Sequence, residues 1–261
     1  MSRVVFVTIA RGGSVRLPRK NVLPFCGLPL IAWAIIQARC SHLITDVYLS
    51  TDDDEIADIG EEHGASIIRR SHELAALAAG PSFIHALDTI KHPIDILITH
   101  LPTSPVRPPE EFDNVIKLYM MLREQGANQV GPLLPRSEMI VYKQIGPHRV
   151  EKCLWKKDGR YFLCAGSWSI CAPDWYRKIA SLAPTGTDEE VNQQYNSGER
   201  HDPNDPMYYY PLKAWQAVDI DYQEQFELAQ VLMEHYVLKG EGQTVYERYR
   251  ARHQPNLADE G

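Results

Sequence analysis

The residues best suited to chemistry lie in one short run, Ala10-Arg11-Gly12-Gly13-Ser14-Val15-Arg16-Leu17-Pro18-Arg19-Lys20-Asn21, which puts two adjacent glycines, a hydroxyl and four cations into a single loop. Polyphosphate suits this combination. Glycines let backbone N–H groups approach the oxygens, arginine clamps them in a bidentate fork, and lysine adds a compact point charge. The spacing is neither G-x-x-x-x-G-K-[ST] nor G-x-G-x-x-G, so a P-loop NTPase and a dinucleotide enzyme both lose support. A second pair, Asp219 and Asp221, stands at i and i+2. On an extended strand both carboxylates project to one face, where they can share a hard cation with phosphate oxygens. The competing reading has Asp221 capping a helix that begins near Gln223 and Asp219 paired with a base.

The elements around these residues follow from pattern. Val4 to Ile9 is a continuous apolar, β-branched run, as expected of a central strand covered on both faces, and the phosphate-type loop follows it directly. Pro29 can start a helix through Ile31, Ala34, Ile35 and Ala38. Val47 to Ser50 reads as a strand, the acidic run Asp52 to Glu55 as the opening of a helix that stops at Gly64, and Ser66 to Ile68 as a short strand. Phe83 to Lys91 reads as a helix, Ile94 to Thr99 as a strand, Leu101 to Pro109 as a breaker-rich segment and Glu110 to Gln125 as a helix. This alternation predicts an α/β fold with a largely parallel sheet, helices on both faces and ligands beyond the carboxyl ends of the strands.

From Arg136 to Pro211 the pattern changes to hairpin-like pieces around Val141 to Ile145 and Trp155 to Ser169, then a polar stretch, Thr185 to Asp205. That span reads as a protruding arm. The expected organisation is a single domain over 1–238, with the arm at 136–211, and a C-terminal extension over 239–261 that forms one short helix and frays. Tyr208-Tyr209-Tyr210 reads as packing in a core or subunit interface, and His201-Asp202-Pro203-Asn204-Asp205 as a loop.

A chain of 261 residues with 44% hydrophobic content can bury a full core, which excludes general disorder. Lys and Arg number 27 against 34 Asp and Glu, a net charge of −7 with no long basic block, so neither nucleic acid nor an anionic membrane is an expected partner. The early apolar run Leu30 to Ile36 falls far short of the ~20 residues a spanning helix needs, and no signal-peptide pattern opens the sequence. The expectation is a soluble, cytoplasmic protein. Five cysteines, Cys26, Cys40, Cys153, Cys164 and Cys171, show no C-x-x-C and read as reduced thiols.

The loop Ala10-Arg11-Gly12-Gly13-Ser14 with Leu17-Pro18-Arg19-Lys20-Asn21 resembles the signature of the N-acylneuraminate cytidylyltransferases, which couple CTP to an acidic sugar. The resemblance continues through Gly27-x-Pro29-Leu30-Ile31, Ser50-Thr51-Asp52-Asp53, Glu73-Leu74-Ala75, Pro102-Thr103-Ser104-Pro105-Val106-Arg107 and Val218-Asp219-Ile220-Asp221. It covers about residues 4–125 and 215–235, and implies a Rossmann-like nucleotidyltransferase fold. It further implies a magnesium-dependent cytidylyltransferase that gives a CMP-sugar and pyrophosphate, working as a homodimer whose arm reaches the partner. By that likeness Ala10, Arg11, Gly12, Gly13, Ser14, Lys20, Asn21 and Arg70 bind the nucleotide, with Arg70 facing cytosine. Lys20, Arg11 and Asp221 are the catalytic candidates, Asp219 and Asp221 hold Mg2+, and Thr103, Ser104 and Arg107 meet the acceptor. Arg16 and Arg19 either touch ligand or pair with acidic neighbours.

The departures fall on the acceptor side, with one on the nucleotide side. Leu101 stands where the family commonly has Gln, and the family's Arg-x-Asn-Gly corresponds to Phe162-Leu163-Cys164-Ala165-Gly166-Ser167-Trp168-Ser169-Ile170, without its arginine or asparagine. An aspartate on the nucleotide side is replaced at Leu77. The acceptor is then a sialic acid-like 2-keto sugar acid or another anion such as a phosphonate, with Arg136, Lys143, Arg149, Lys156, Lys157 and Arg160 as further cations. A same-fold nucleotidyltransferase using another nucleoside triphosphate, and a nucleotide-binding module without chemistry, remain the alternatives.

Overall fold

A computed structural model describes residues 2–136, 139–147, 149–156, 161–164, 166–181 and 208–253. The chain opens with β1 (Val4–Ala10), whose seven residues are all buried. Two-residue strands β2 (Pro24–Phe25) and β3 (Leu28–Pro29) pair antiparallel through a turn in which Cys26 and Gly27 take positive φ, and lead into α1 (Leu30–Cys40). Then come β4 (Asp46–Thr51), α2 (Asp54–Glu62), β5 (Ser66–Arg69), α3 (His72–Ala76), α4 (Ala79–Thr89), β6 (Ile96–His100) and α5 (Glu111–Arg123). β7 (Gln129–Arg136), β8 (Met139–Gly146), β9 (Arg149–Lys156), β10 (Tyr161–Cys164), β11 (Trp168–Cys171) and α6 (Pro173–Ser181) follow. After residue 208 come β12 (Tyr208–Pro211), α7 (Gln223–Leu232), a wider helical winding over Met233–Glu241, and α8 (Gln243–His253).

Among the described residues eight strands share one sheet, in the order β10-β7-β11-β6-β1-β4-β5, with β12 also paired to β7. β6, β1, β4 and β5 run parallel, and β11 is inserted antiparallel between β6 and β7. β1 shows why the fold needs two helical layers: its alternate side chains enter different cores. Val4 and Phe6 pack with Ile31 and Ile35 of α1 and Phe112, Ile116 and Tyr119 of α5. Val5, Val7 and Ile9 pack with Phe83, Ala86 and Leu87 of α4. A third cluster joins Leu30, Trp33 and Ile36 of α1 to Phe226, Ala229, Met233, Val237 and Tyr246. No helix among the described residues is long and apolar enough to cross a membrane.

The reading of 136–211 needs correction, while those of the tyrosine triplet, a helix in the C-terminal extension and the described cysteines hold. The span 136–211, read as an arm, contributes β10, β11 and β12 to the main sheet, because Trp168, Ile170 and Cys171 are buried and pair with β6 and β7. The hairpin β8–β9 forms a sheet of its own. Tyr209 and Tyr210 meet Phe162 and Trp168 at ring-centroid distances of 4.4 and 6.1 Å, so the tyrosine triplet is sheet packing. Residues 239–253 carry Tyr246, 2% exposed, onto the edge of Trp33 at 5.5 Å. The stretch 185–205 and the side chains of Lys143, Lys156, Lys157, Arg160, Cys153 and Cys164 lie outside the described residues. Cys26, Cys40 and Cys171 are in no disulfide, and burial pushes the Cys40 thiol up to about 11.

Candidate functional site

A cavity of about 440 Å³ opens beyond the carboxyl ends of the parallel strands. Ile9 and Ala10 reach it from the end of β1, Arg70 from the residue after β5, and Leu101 to Thr103 from the residues after β6. Arg11, Ser14, Arg16, Lys20 and Asn21 come from the loop, and Asp219 and Asp221 from almost the other end of the chain.

The loop is held in shape by the residues around it. Gly12 N–H donates to Asp52 Oδ1 at 3.2 Å, and a Cβ at Gly12 would overlap the Asp53 carboxylate, so the glycine is required by close approach. Arg19 adopts positive φ and turns its guanidinium outward, to Asp53 at 2.5 Å and to Glu55. These contacts raise the Arg19 pKa and lower that of Asp53, whose other role is to cap α2 by accepting from Ile56 N–H. Arg19 is therefore a strut of the loop. Asn21 Nδ2 donates to the Arg11 carbonyl at 3.0 Å, which folds the two ends of the loop together.

Lys20 is 8% exposed, and its Nζ donates to the Ile220 carbonyl and lies 3.5 Å from Asp221 Oδ1. Burial lowers its pKa, and Asp221 and Asp219 oppose that shift without cancelling it. Arg16 takes the other Asp221 oxygen at 2.8 Å and lies over the Tyr222 ring at 5.8 Å. Arg70, 9% exposed, donates to the Ser50 and Ala10 carbonyls at 2.6 and 3.1 Å, while its Nε has no hydrogen-bond partner among the described residues. Desolvation brings its pKa down to about 10. Arg11 reaches the Ala75 carbonyl at 3.3 Å.

Asp219 and Asp221 do project to one side, although the segment 217–221 is not a strand of the sheet. Ile220 between them is fully buried and donates from its N–H to the Thr103 carbonyl at 2.8 Å, which preserves the alternation. Asp221 does not cap α7; Tyr222 holds the cap position, and Gln225 Oε1 accepts from the Asp221 and Tyr222 N–H groups. Thr103 lines the cavity, and its hydroxyl and that of Ser104 meet Ser167 Oγ at 2.8 and 2.9 Å. Ser167 in turn donates to Asp219 Oδ1 at 3.2 Å. Sequence reasoning passed over Ser167 because its segment was read for the arginine and asparagine it lacks, and a single hydroxyl carries no signal of its own.

Not every expected residue reaches the cavity. Gly12 and Gly13 shape the loop outside its lining, and Ser104 is buried behind Thr103. Arg107 is turned away from the acceptor side: it is 3% exposed and bound by Glu111 Oε1 at 2.8 Å, His100 Nε2 at 3.0 Å and Gln37 Oε1 at 3.2 Å. With three of its five N–H donors spent in the core and the side chain buried, the guanidinium does not reach the cavity. Leu77 and Leu101, the two departures to leucine, both line the cavity with Ala78, Ala79 and Pro102.

Comparison with known proteins bears on the family and the fold. N-acylneuraminate cytidylyltransferase A of Danio rerio is 31% identical over 134 residues, 49% of this chain and 29% of that protein. CMP-N,N'-diacetyllegionaminic acid synthase of Legionella pneumophila is 34% identical over 125 residues, 45% of this chain and 53% of that protein. The chain thus spans about half or less of the length of these curated relatives. A solved CMP:2-keto-3-deoxy-manno-octonic acid synthetase complexed with CTP superimposes with a TM-score of 0.67 at 16% identity, over 89% of this chain and 99% of that one, and so shares its fold. A family model described as cytidylyltransferase matches residues 5–140, which hold the whole loop, Arg70 and the Leu101 to Arg107 segment; the chain belongs to the cytidylyltransferase family.

Proposed function

We propose that this protein transfers a cytidylyl group from CTP to an acidic sugar, a sialic acid-like 2-keto sugar acid, with release of pyrophosphate. The observation that carries the reading is the meeting of the 10–21 loop with Asp219 and Asp221 in one cavity, Lys20 Nζ standing 3.5 Å from Asp221 Oδ1. Arg11, Ser14, Lys20 and the loop backbone would hold the triphosphate, and the buried Arg70, with Nε unspent, would face the base. Lys20 and Arg11 would take up charge that develops on the phosphoryl oxygens as the acceptor oxygen attacks. Thr103 would meet the acceptor.

The donor set fits a magnesium ion. Asp219 and Asp221 offer hard carboxylate oxygens at the side of the phosphate loop, and Asp221 already draws two cationic side chains. Among the described residues no group of three or more His, Cys, Asp or Glu could hold a metal ion, so the remaining oxygens would come from phosphate and water. Bound there, the ion would offset triphosphate charge.

A second acceptor class, a phosphonate or other non-sialic anion, is favoured by one observation: Leu101 lines the cavity where the family commonly has Gln, and Arg107 is withdrawn. A cytoplasmic homodimer belongs to the same proposal, and sedimentation tests the dimer. Calorimetric titration with CTP, ATP, GTP and UTP, each with and without magnesium, tests the nucleotide half. Selective CTP binding is expected, followed by pyrophosphate release in a screen of acidic sugars and phosphonates. Preference for another triphosphate would move the function to a different nucleotidyl donor, and no binding would favour a module without chemistry.

A further inference from the structure

Asp219 and Asp221 project from a segment with no strand pairing of its own, so its position depends on a few individual contacts. Ile220 is held on both sides of its peptide, by the Thr103 carbonyl and by Lys20. Upstream, the short turn Ala214–Gln216 is anchored in a different way. Gln216, 6% exposed, donates through Nε2 to Glu111 Oε2 and accepts from the Lys213 N–H at 3.0 Å. The other Glu111 oxygen takes Arg107 Nε at 2.8 Å. Arg107 also reaches Gln37, and Gln37 donates to the Pro105 carbonyl at 2.6 Å.

One buried network therefore grips the two segments that meet at Ile220: the loop 101–107 that carries Thr103, and the turn that leads into Asp219. A fully buried ion pair is weak support for stability, since apolar residues of equal volume do as well, but it constrains geometry because its atoms, shut off from water, find their partners within the network. The network ends at a residue three positions before a candidate metal ligand.

We infer that Gln216 is a positioning residue for the reaction: through Glu111 and Arg107 it sets the spacing between the Thr103 loop and the Asp219–Asp221 segment, so that both carboxylates face the triphosphate. This rests on the proposed cytidylyl transfer. Gln216 itself does not line the cavity.

The test starts with the unaltered protein. If it neither binds CTP nor releases pyrophosphate, the proposed function falls and this inference with it; if it does both, Gln216→Met decides the inference alone. Gln216→Met keeps the side-chain length and removes both hydrogen bonds. Its kcat should fall about 10- to 100-fold while KM for CTP stays within about twofold, the size of effect seen when groups supporting a ligand are lost. Ser41→Ala is the control, because Ser41 caps the turn after α1 through Asp113 and lies outside the cavity. Its kcat should stay near that of the unaltered protein whatever its melting temperature. An unchanged kcat in Gln216→Met, an effect on KM alone, or an equal loss in Ser41→Ala would overturn the inference. Should Gln216→Met not fold, Gln216→Glu, which keeps the acceptor for Lys213 N–H and sets a carboxylate against Glu111, carries the same expectation and the same reversal.

Discussion

Two sets of cation–carboxylate contacts sit within one α/β frame and differ in what they can do. In the cavity, Arg16 and Lys20 share Asp221, with the side chains of Arg16 and Asp221 57% and 30% exposed. Beneath it, Arg107 and Glu111 pair at 3% exposure each. Water and an incoming anion compete for Arg16 and Asp221, so these partners can exchange at little cost. Nothing can replace a partner in the closed set. The same residue types thus make a site in one place and a strut in the other, and exposure decides which.

The closed set should give the largest effect on stability. Arg107→Ala leaves Glu111 buried with Gln216 as its remaining partner, and loss of one member of a buried pair costs about 3–5 kcal/mol. Burial already pushes the Glu111 carboxyl upward against the pull of Arg107, so without the arginine it would rise further. Urea denaturation measures the loss, and a change below about 1 kcal/mol, the size of a surface pair, would place Arg107 in the open class after all.

The open set should give the largest effect on turnover. Asp221→Asn keeps the shape but removes the charge, and one of the two acceptor oxygens, that the proposed mechanism sets beside the phosphates. Turnover should fall about 10²- to 10³-fold, in the range for loss of one preorganised electrostatic group, with the unfolding curve almost unmoved. Near-normal turnover would remove Asp221 from the mechanism and leave the cavity without its defining contrast.

These two sets also mark how far the sequence could be read. The loop at 10–21 was legible because glycines and cations after a buried strand have few other uses, and the i, i+2 spacing of Asp219 and Asp221 survives without a strand because Ile220 alone is buried there. Arg107 was misread as an acceptor contact: its motif neighbour Thr103 does line the cavity, and nothing in a linear sequence shows that Glu111, His100 and Gln37 surround the guanidinium. The insertion of β11 between β6 and β7 was hidden for a similar reason, since four residues, Trp168 to Cys171, carry no pattern long enough to separate a central strand from a hairpin edge. Ser167 and Gln216 are single polar residues whose partners lie 52 and 105 positions away.

Lys20 lies between the two sets, in the cavity but nearly buried, and that gives it a pH dependence an open lysine would lack. Lys20→Ala should weaken CTP binding about 10- to 100-fold, the worth of a charge-assisted hydrogen bond. Desolvation lowers its pKa, so the charged form is lost at a lower pH than for an open lysine as the solution is made alkaline. CTP affinity should therefore decline on the alkaline side, and Lys20→Arg, which keeps its charge there, should flatten that decline. A decline identical in both proteins would assign it to another group.

Arg16 gives the smallest effect and the sharpest distinction, because two consequences of its removal run in opposite directions. Its ion pair with Asp221 is exposed on the arginine side, so Arg16→Ala should change the unfolding free energy by less than about 1 kcal/mol. The same substitution frees one Asp221 oxygen from a competing cation. If that carboxylate takes magnesium, the half-saturating magnesium concentration should fall by a factor of about 2 to 5, the equilibrium equivalent of one exposed pair, measured by titration at fixed CTP. A requirement for more magnesium instead would mean that Arg16 holds the carboxylate in its binding orientation, which would move Arg16 from the exchangeable set to the fixed one.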